Sequence, residues 1–104
     1  MEQKDQIERI TAAEQALDSA RTTIDHFGQA LDSFEAAQTD VGRVSEYLGS
    51  EAWFDDMDAH TNGEIPSSVK AGILSQDLGY DLIMDNRELA LRMLEVATAI
   101  LRDL

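Results

Sequence analysis

Apolar residues recur every three or four positions over the first part of the chain. They form two series in which successive members are seven residues apart: Ile10, Leu17, Ile24 and Leu31, and Ala13, Ala20, Phe27, Phe34 and Val41. A period of 3.5 residues places both series on one stripe of an α-helix, the arrangement typical of coiled coils. Because no proline lies between Asp5 and Tyr47, the pattern predicts one helix over residues 5–47. A break near Thr39–Gly42 is the main alternative.

A second helical pattern covers the C-terminal part of the chain. Ser75 precedes it as a candidate N-cap, so the pattern predicts a helix over residues 75–103. One series is interrupted by a polar residue, Asn86, and a neighbouring row with Leu91 widens the apolar surface. A helix with so broad an apolar surface is expected to contact more than one partner. The series and the row comprise Leu82, Leu89, Met93, Val96 and Ile100, and Ile83, Ala90, Leu94, Ala97 and Leu101.

The connector, residues 48–74, contains the residues that end helices and form turns. Ser50 predicts the N-cap of a short helix over Glu51–Met57. Asn62 and Gly63 predict a turn. Pro66 predicts the first turn of a second short helix, which ends at Gly72.

These elements predict an all-α fold, in which a long antiparallel helical hairpin with short connector helices forms a single domain over residues 1–104. The first predicted helix is roughly 65 Å long and the last roughly 44 Å, at about 1.5 Å per residue. A hairpin therefore leaves part of the first stripe uncovered. We expect the chain to form a homodimer or a larger helical bundle that covers the remainder.

Charge and composition narrow the classes of function. The chain has 21 acidic and 8 basic residues, a net charge of −13, which argues against direct binding to nucleic acids or to anionic membranes. The absence of cysteine excludes disulfides and thiolate metal sites. Since neither a signal peptide nor an apolar run of membrane-spanning length is present, the sequence predicts a cytoplasmic protein.

The acidic connector is the first candidate for chemistry. The alternating residues Asp56, Asp58, His60 and Asn62, followed by Gly63, are similar to a calcium-binding loop. Starting the loop at Asp58, however, puts Val69 where the bidentate glutamate is needed. A weak divalent-metal site therefore remains a hypothesis, beside the favoured interpretation of a solvated acidic turn. Its candidate ligands are Asp55, Asp56, Asp58, His60 and Glu64.

Several residues of the last helix and the connector are candidates for fixing register or contacting a partner. A polar residue in an apolar series, such as Asn86, often fixes helix register or oligomeric state. Arg87 could pair with the connector acids, and Leu91 extends the apolar surface. Trp53 and Tyr80 flank the acidic connector; packing of the connector onto the helix ends is favoured over recognition of a partner. The acids at 77, 81, 85 and 88 form a row that we interpret as a solvated face.

The sequence shows no catalytic constellation. It contains no serine–histidine–aspartate or cysteine–histidine arrangement, no glycine-rich phosphate loop and no histidine zinc motif. We therefore predict a protein without enzymatic activity and without a cofactor.

The chain resembles the small bacterial family catalogued as domain of unknown function 4298. The most specific part is Gly72 to Leu94, where Gln76 and Gly79 replace an expected acid and an expected larger residue. The resemblance implies a bacterial, helical, cytoplasmic protein and supplies no activity. The residues that carry it are Ile7-Glu8-Arg9-Ile10, Tyr47-Leu48-Gly49-Ser50, Trp53, the acids of 55–58, Pro66, Lys70, and the run GILSQDLGYDLIMDNRELALRML.

Three functions compete on this evidence. The leading hypothesis is a non-catalytic helical protein that self-associates and binds another protein. The second is an acidic mimic of nucleic acid that occupies a DNA-binding protein, although the carboxylates are more widely spaced than DNA phosphates and arginines interrupt them. The third is a weak divalent-metal-binding protein that uses the connector acids.

Overall fold

The computed structural model describes residues 2–103, except for the side chain of Gln76. It contains three α-helices, α1 (Glu2–Leu48), α2 (Glu51–Thr61) and α3 (Gln76–Arg102), and one short 3-10 helix (Gly72–Leu74) between α2 and α3. No β-strand occurs among the described residues. The predicted all-α class, with a long first helix and a long last helix, is therefore confirmed.

The chain divides into two compact units, Met1–Gln38 and Thr39–Leu104. The first unit contains only the part of α1 that ends at Gln38. The second contains the end of α1 together with α2, the 3-10 helix and α3. Helix α1 is continuous through Thr39–Gly42, so the alternative of a helix break there is wrong. Packing of the two long helices as a hairpin stays a prediction.

The core of the second unit lies where its elements meet. Leu48 at the end of α1, Trp53 in α2 and Leu74 in the 3-10 helix are all less than 10% exposed. Each comes from a different element, so their packing together holds α2 and the 3-10 helix of the connector against the end of α1. Partly buried apolar residues surround them: Val44, Tyr47, Met57, Ala71, Ile73 and Ile83.

Local hydrogen bonds explain why α2 begins and ends where it does. The hydroxyl oxygen of Ser50 accepts a 3.4 Å bond from the Trp53 amide, which confirms the predicted N-cap. At the other end, Gly63 has φ +74°. Its amide donates to the His60 carbonyl at 3.1 Å and the Glu64 amide to the Ala59 carbonyl at 2.9 Å. This is a Schellman motif, which needs a left-handed residue and so favours glycine.

The structure corrects three details of the predicted connector and last helix. Helix α2 extends to Thr61, past the predicted end at Met57. The predicted helix from Pro66 to Gly72 is wrong: the Val69 amide closes a turn on the Pro66 carbonyl at 3.0 Å, and helical structure starts only at Gly72. Ser75 does occupy the N-cap position of α3, but its side chain makes no capping hydrogen bond.

Candidate functional site

A tryptophan hydrogen bond joins α2 to the 3-10 helix. Trp53 is 5% exposed, and its indole Nε1–H donates a 3.0 Å bond to the backbone carbonyl of Ile73. The Phe54 ring meets the indole edge to face, with the ring centroids 5.2 Å apart. Of the two roles predicted for Trp53, the structure shows packing of the connector. Burial leaves this side chain little surface for a partner.

A close helix contact lies beside this core. Gly79 in α3 is buried, and a Cβ atom at that position would lie 2.6 Å from Cδ1 of Leu48. The end of α1 and the start of α3 approach this closely only because position 79 carries no side chain. The sequence identified Gly79 only as a small residue where a larger one was expected. The need for glycine here arises from the contact with Leu48. A local sequence pattern does not reveal which distant residue lies opposite position 79.

An open apolar groove of about 360 Å³ adjoins this contact. Among the described residues that line it, Lys70 is the single charged one, and the apolar lining comes from α1, the 3-10 helix and α3. The groove can accept an aliphatic group. The lining residues are Val44, Lys70, Gly72, Ile73, Leu78, Gly79 and Leu82.

A second exposed surface lies on α3. Tyr80, Met84, Arg87 and Leu91 follow an i, i+4, i+7, i+11 spacing, which places them on one side of the helix. All four are exposed. We call this set the outer stripe of α3. Three of the sequence candidates for fixing register or contacting a partner, Tyr80, Arg87 and Leu91, belong to it, and that role stays a prediction.

Asn86 lies away from the outer stripe. It is half-buried, as are Ile83 and Met93 on the same helix. A polar side chain at this position must satisfy its amide within a partly apolar environment. Its predicted role in fixing register stays a prediction.

The first unit presents an exposed apolar surface along its length. Ile10, Leu17, Ile24, Phe27 and Leu31 are between 40% and 62% exposed. We call these residues, together with Ala13 and Ala20 between them, the α1 stripe. A heptad stripe is the surface through which helices pack side by side. Residues 2–38, the described part of the first unit, leave it exposed.

The connector acids do not assemble into a metal site in the described part of the chain. No group of three or more acidic, histidine or cysteine side chains there is arranged to hold a metal ion. This applies to all five predicted ligands: Asp55, Asp56, Asp58, His60 and Glu64. Helix α2 continues through the first four, so they are spread around a helix rather than gathered in a loop.

One connector acid has a different role. Asp56 accepts a 2.5 Å hydrogen bond from the Tyr47 hydroxyl, which joins α2 to the end of α1. This bond, with smaller effects of burial and of the Asp56 charge, raises the pKa of Tyr47 to about 12. The neutral phenol is therefore the stable form in the folded protein. The pair links α2 to the end of α1 and so stabilises the connector.

Comparison with known proteins identifies a family but no characterised relative. A model of the family described as Domain of unknown function (DUF4298) matches residues 10–96. Neither a curated protein nor a solved structure matches the chain. Among the described residues, no helix combines the length and the apolar character needed to cross a bilayer.

Proposed function

Because this chain belongs to the DUF4298 family, whose description assigns no activity, we propose its function from its exposed surfaces. It is a non-catalytic helical protein that self-associates and binds another protein. The α1 stripe serves self-association, and the outer stripe of α3 serves the partner protein. The observation that carries this proposal is the exposure of large apolar side chains at regular helical spacing on both helices.

The exposed large apolar residues of α1 follow one another along the helix instead of lying singly. Single exposed apolar side chains are normal on soluble proteins, but contiguous apolar surfaces mark interaction sites. Along α1 the exposed residues repeat every seven positions, and that repeat is what a second helix of similar pattern requires. This supports association with another copy of the chain.

The outer stripe of α3 has a different composition. Tyrosine, methionine and arginine are enriched in the cores of protein interfaces, and the stripe contains one of each beside Leu91. Its irregular mixture of residue types does not suit a coiled-coil partner. It supports a contact with a different protein.

Two leucines of α3 provide a matched test of partner binding. Leu91 and Leu89 are 48% and 46% exposed, but residues two apart lie on opposite sides of a helix. We expect Leu91→Ala to reduce capture of the partner from a bacterial lysate roughly tenfold, and Leu89→Ala to leave it nearly unchanged. Capture that survives high salt indicates apolar packing, because salt screens exposed charges.

Three results would contradict the proposal. Equal loss of capture in the two variants would remove the outer stripe as the binding surface. Captured DNA-binding proteins that leave with salt would favour the nucleic-acid mimic. A monomeric mass by light scattering at micromolar concentration would remove self-association.

A further inference from the structure

We propose that the α1 stripe pairs with the same stripe of a second copy in antiparallel orientation, with Leu17 of each copy packed against Ala20 of the other. The inference rests on the proposed self-association and adds its orientation and register. The same alignment places Ala13 opposite Ile24 and Ile10 opposite Phe27. Three features of the chain support it.

The first feature is the alternation of side-chain size along the stripe. Ile10, Leu17 and Ile24 are large, whereas Ala13 and Ala20 between them are small. In a parallel pair in register, every residue of the stripe lies against the same residue of the other chain. Each alanine layer then contains only two methyl groups. An antiparallel pair brings one series against the other and sets each alanine against a leucine or isoleucine. Protein interfaces fill space when large side chains face small ones.

The second feature is a pair of charges beside the stripe. Glu14 and Arg21 each follow an alanine of the stripe and are exposed. In the proposed alignment, Glu14 of each copy lies across from Arg21 of the other, which gives two ion pairs by symmetry. Arg21 is already 3.5 Å from Asp25 of its own helix, so the new contact extends a network. A parallel pair would instead bring Arg9 near Glu14, so these charges alone do not decide the orientation.

The third feature is the charge of the chain that follows the first unit. Residues 39–104 contain thirteen acidic and five basic residues, a net −8 of the total −13. A parallel pair brings two such segments to the same end of the helices, where they repel. An antiparallel pair places them at opposite ends. Together with the packing argument, this favours the antiparallel arrangement.

Disulfide trapping tests the orientation directly, because the natural chain has no cysteine. One full-length chain carries Ala13→Cys, and another, with a tag of different size, carries Ile24→Cys. The two are mixed under reducing conditions and then oxidised. We expect a disulfide dimer that contains one chain of each kind, and little product from either chain alone. Two copies of residue 13 would be separated by about 11 residues, or roughly 16 Å, in this alignment, which is too far for a disulfide.

Thr22 supplies the control, because it lies on the opposite side of α1 from the stripe. Chains with Ala13→Cys and Thr22→Cys should not form the mixed product. Strong cross-linking of Ala13→Cys with itself would overturn the inference in favour of a parallel pair. Absence of any specific product from a chain that is dimeric by light scattering would overturn this register and leave self-association intact. A chain that is monomeric by light scattering would overturn the proposed self-association itself. That result would also be expected if α3 of the same chain covered the stripe.

Discussion

The indole Nε1–H of Trp53 lies 3.0 Å from the backbone carbonyl oxygen of Ile73, and this bond spans 20 residues of the chain. It connects α2 to the 3-10 helix through a side chain that is almost fully buried. The Ile73 carbonyl is partly buried. If it loses its donor, part of the cost of removing it from water is no longer offset by a hydrogen bond. The bond is therefore a main constraint on the position of the connector.

Replacing Trp53 with phenylalanine removes this donor and part of the core volume. We expect Trp53→Phe to lower the free energy of unfolding by roughly 1–3 kcal/mol. Urea unfolding followed by circular dichroism at 222 nm measures this loss. Phe54→Leu is the control, because Phe54 is exposed and its edge contact with Trp53 is worth less than about 1.5 kcal/mol. Equal losses in the two variants would show that the indole bond contributes little.

Two glycines in helices should respond to alanine with opposite signs. Alanine favours a helix over glycine by roughly 1 kcal/mol, so Gly42→Ala in α1, where a Cβ atom meets nothing within 4 Å, should stabilise the protein. At Gly79 the same change places a methyl group against Leu48, a buried residue. Overpacking of this kind costs about 1–3 kcal/mol. After the helix gain of roughly 1 kcal/mol is subtracted, Gly79→Ala should destabilise the protein by up to about 2 kcal/mol. Thermal unfolding of both variants measures the difference, and a gain in stability from Gly79→Ala would show that the two helices do not meet closely there.

The Tyr47–Asp56 pair predicts how stability changes at alkaline pH. The folded state raises the pKa of Tyr47 from 10.0 to about 12, chiefly through the hydrogen bond to Asp56. Between these values the folded state binds more protons than the unfolded state, so stability falls as the pH rises. The contribution of the pair is fully present below pH 10 and is lost as the pH passes about 12.

Phenolate absorbance at 295 nm in a Tyr80→Phe background measures this titration, because the chain contains only two tyrosines. We expect Asp56→Ala to lower the midpoint of Tyr47. Circular dichroism at each pH serves as the control that the protein remains folded. An unchanged midpoint in Asp56→Ala would contradict the hydrogen bond as the cause of the shift.

The features of the fold that depend on a local residue pattern could be predicted from the sequence. Uninterrupted heptad spacing is enough for α1, and the Ser50 cap follows from the preference of serine for that position. The sequence also named Tyr80, Arg87 and Leu91 as candidates for register or partner contact; they lie on one exposed side of α3, and their role stays a prediction. The turn at Asn62 and Gly63 also depends on local conformation alone.

Contacts between distant residues could not be predicted in this way. The bond from Trp53 to Ile73 and the contact of Gly79 with Leu48 depend on how separate elements meet. The connector from Pro66 to Gly72 was predicted as helix because proline suits a first helical turn. Proline also suits turns, and the closing bond from the Val69 amide shows that the turn is formed here.

Sedimentation equilibrium of the full-length chain tests the central claim most directly, that association covers the α1 stripe. Ile24 lies in the stripe and Thr22 on the opposite side, and both are β-branched residues on the same helix. We expect the natural chain and Thr22→Glu to have the mass of a dimer or larger assembly, and Ile24→Glu to shift towards the 11.5 kDa monomer. A monomeric natural chain, or equal masses for Ile24→Glu and Thr22→Glu, would contradict the account.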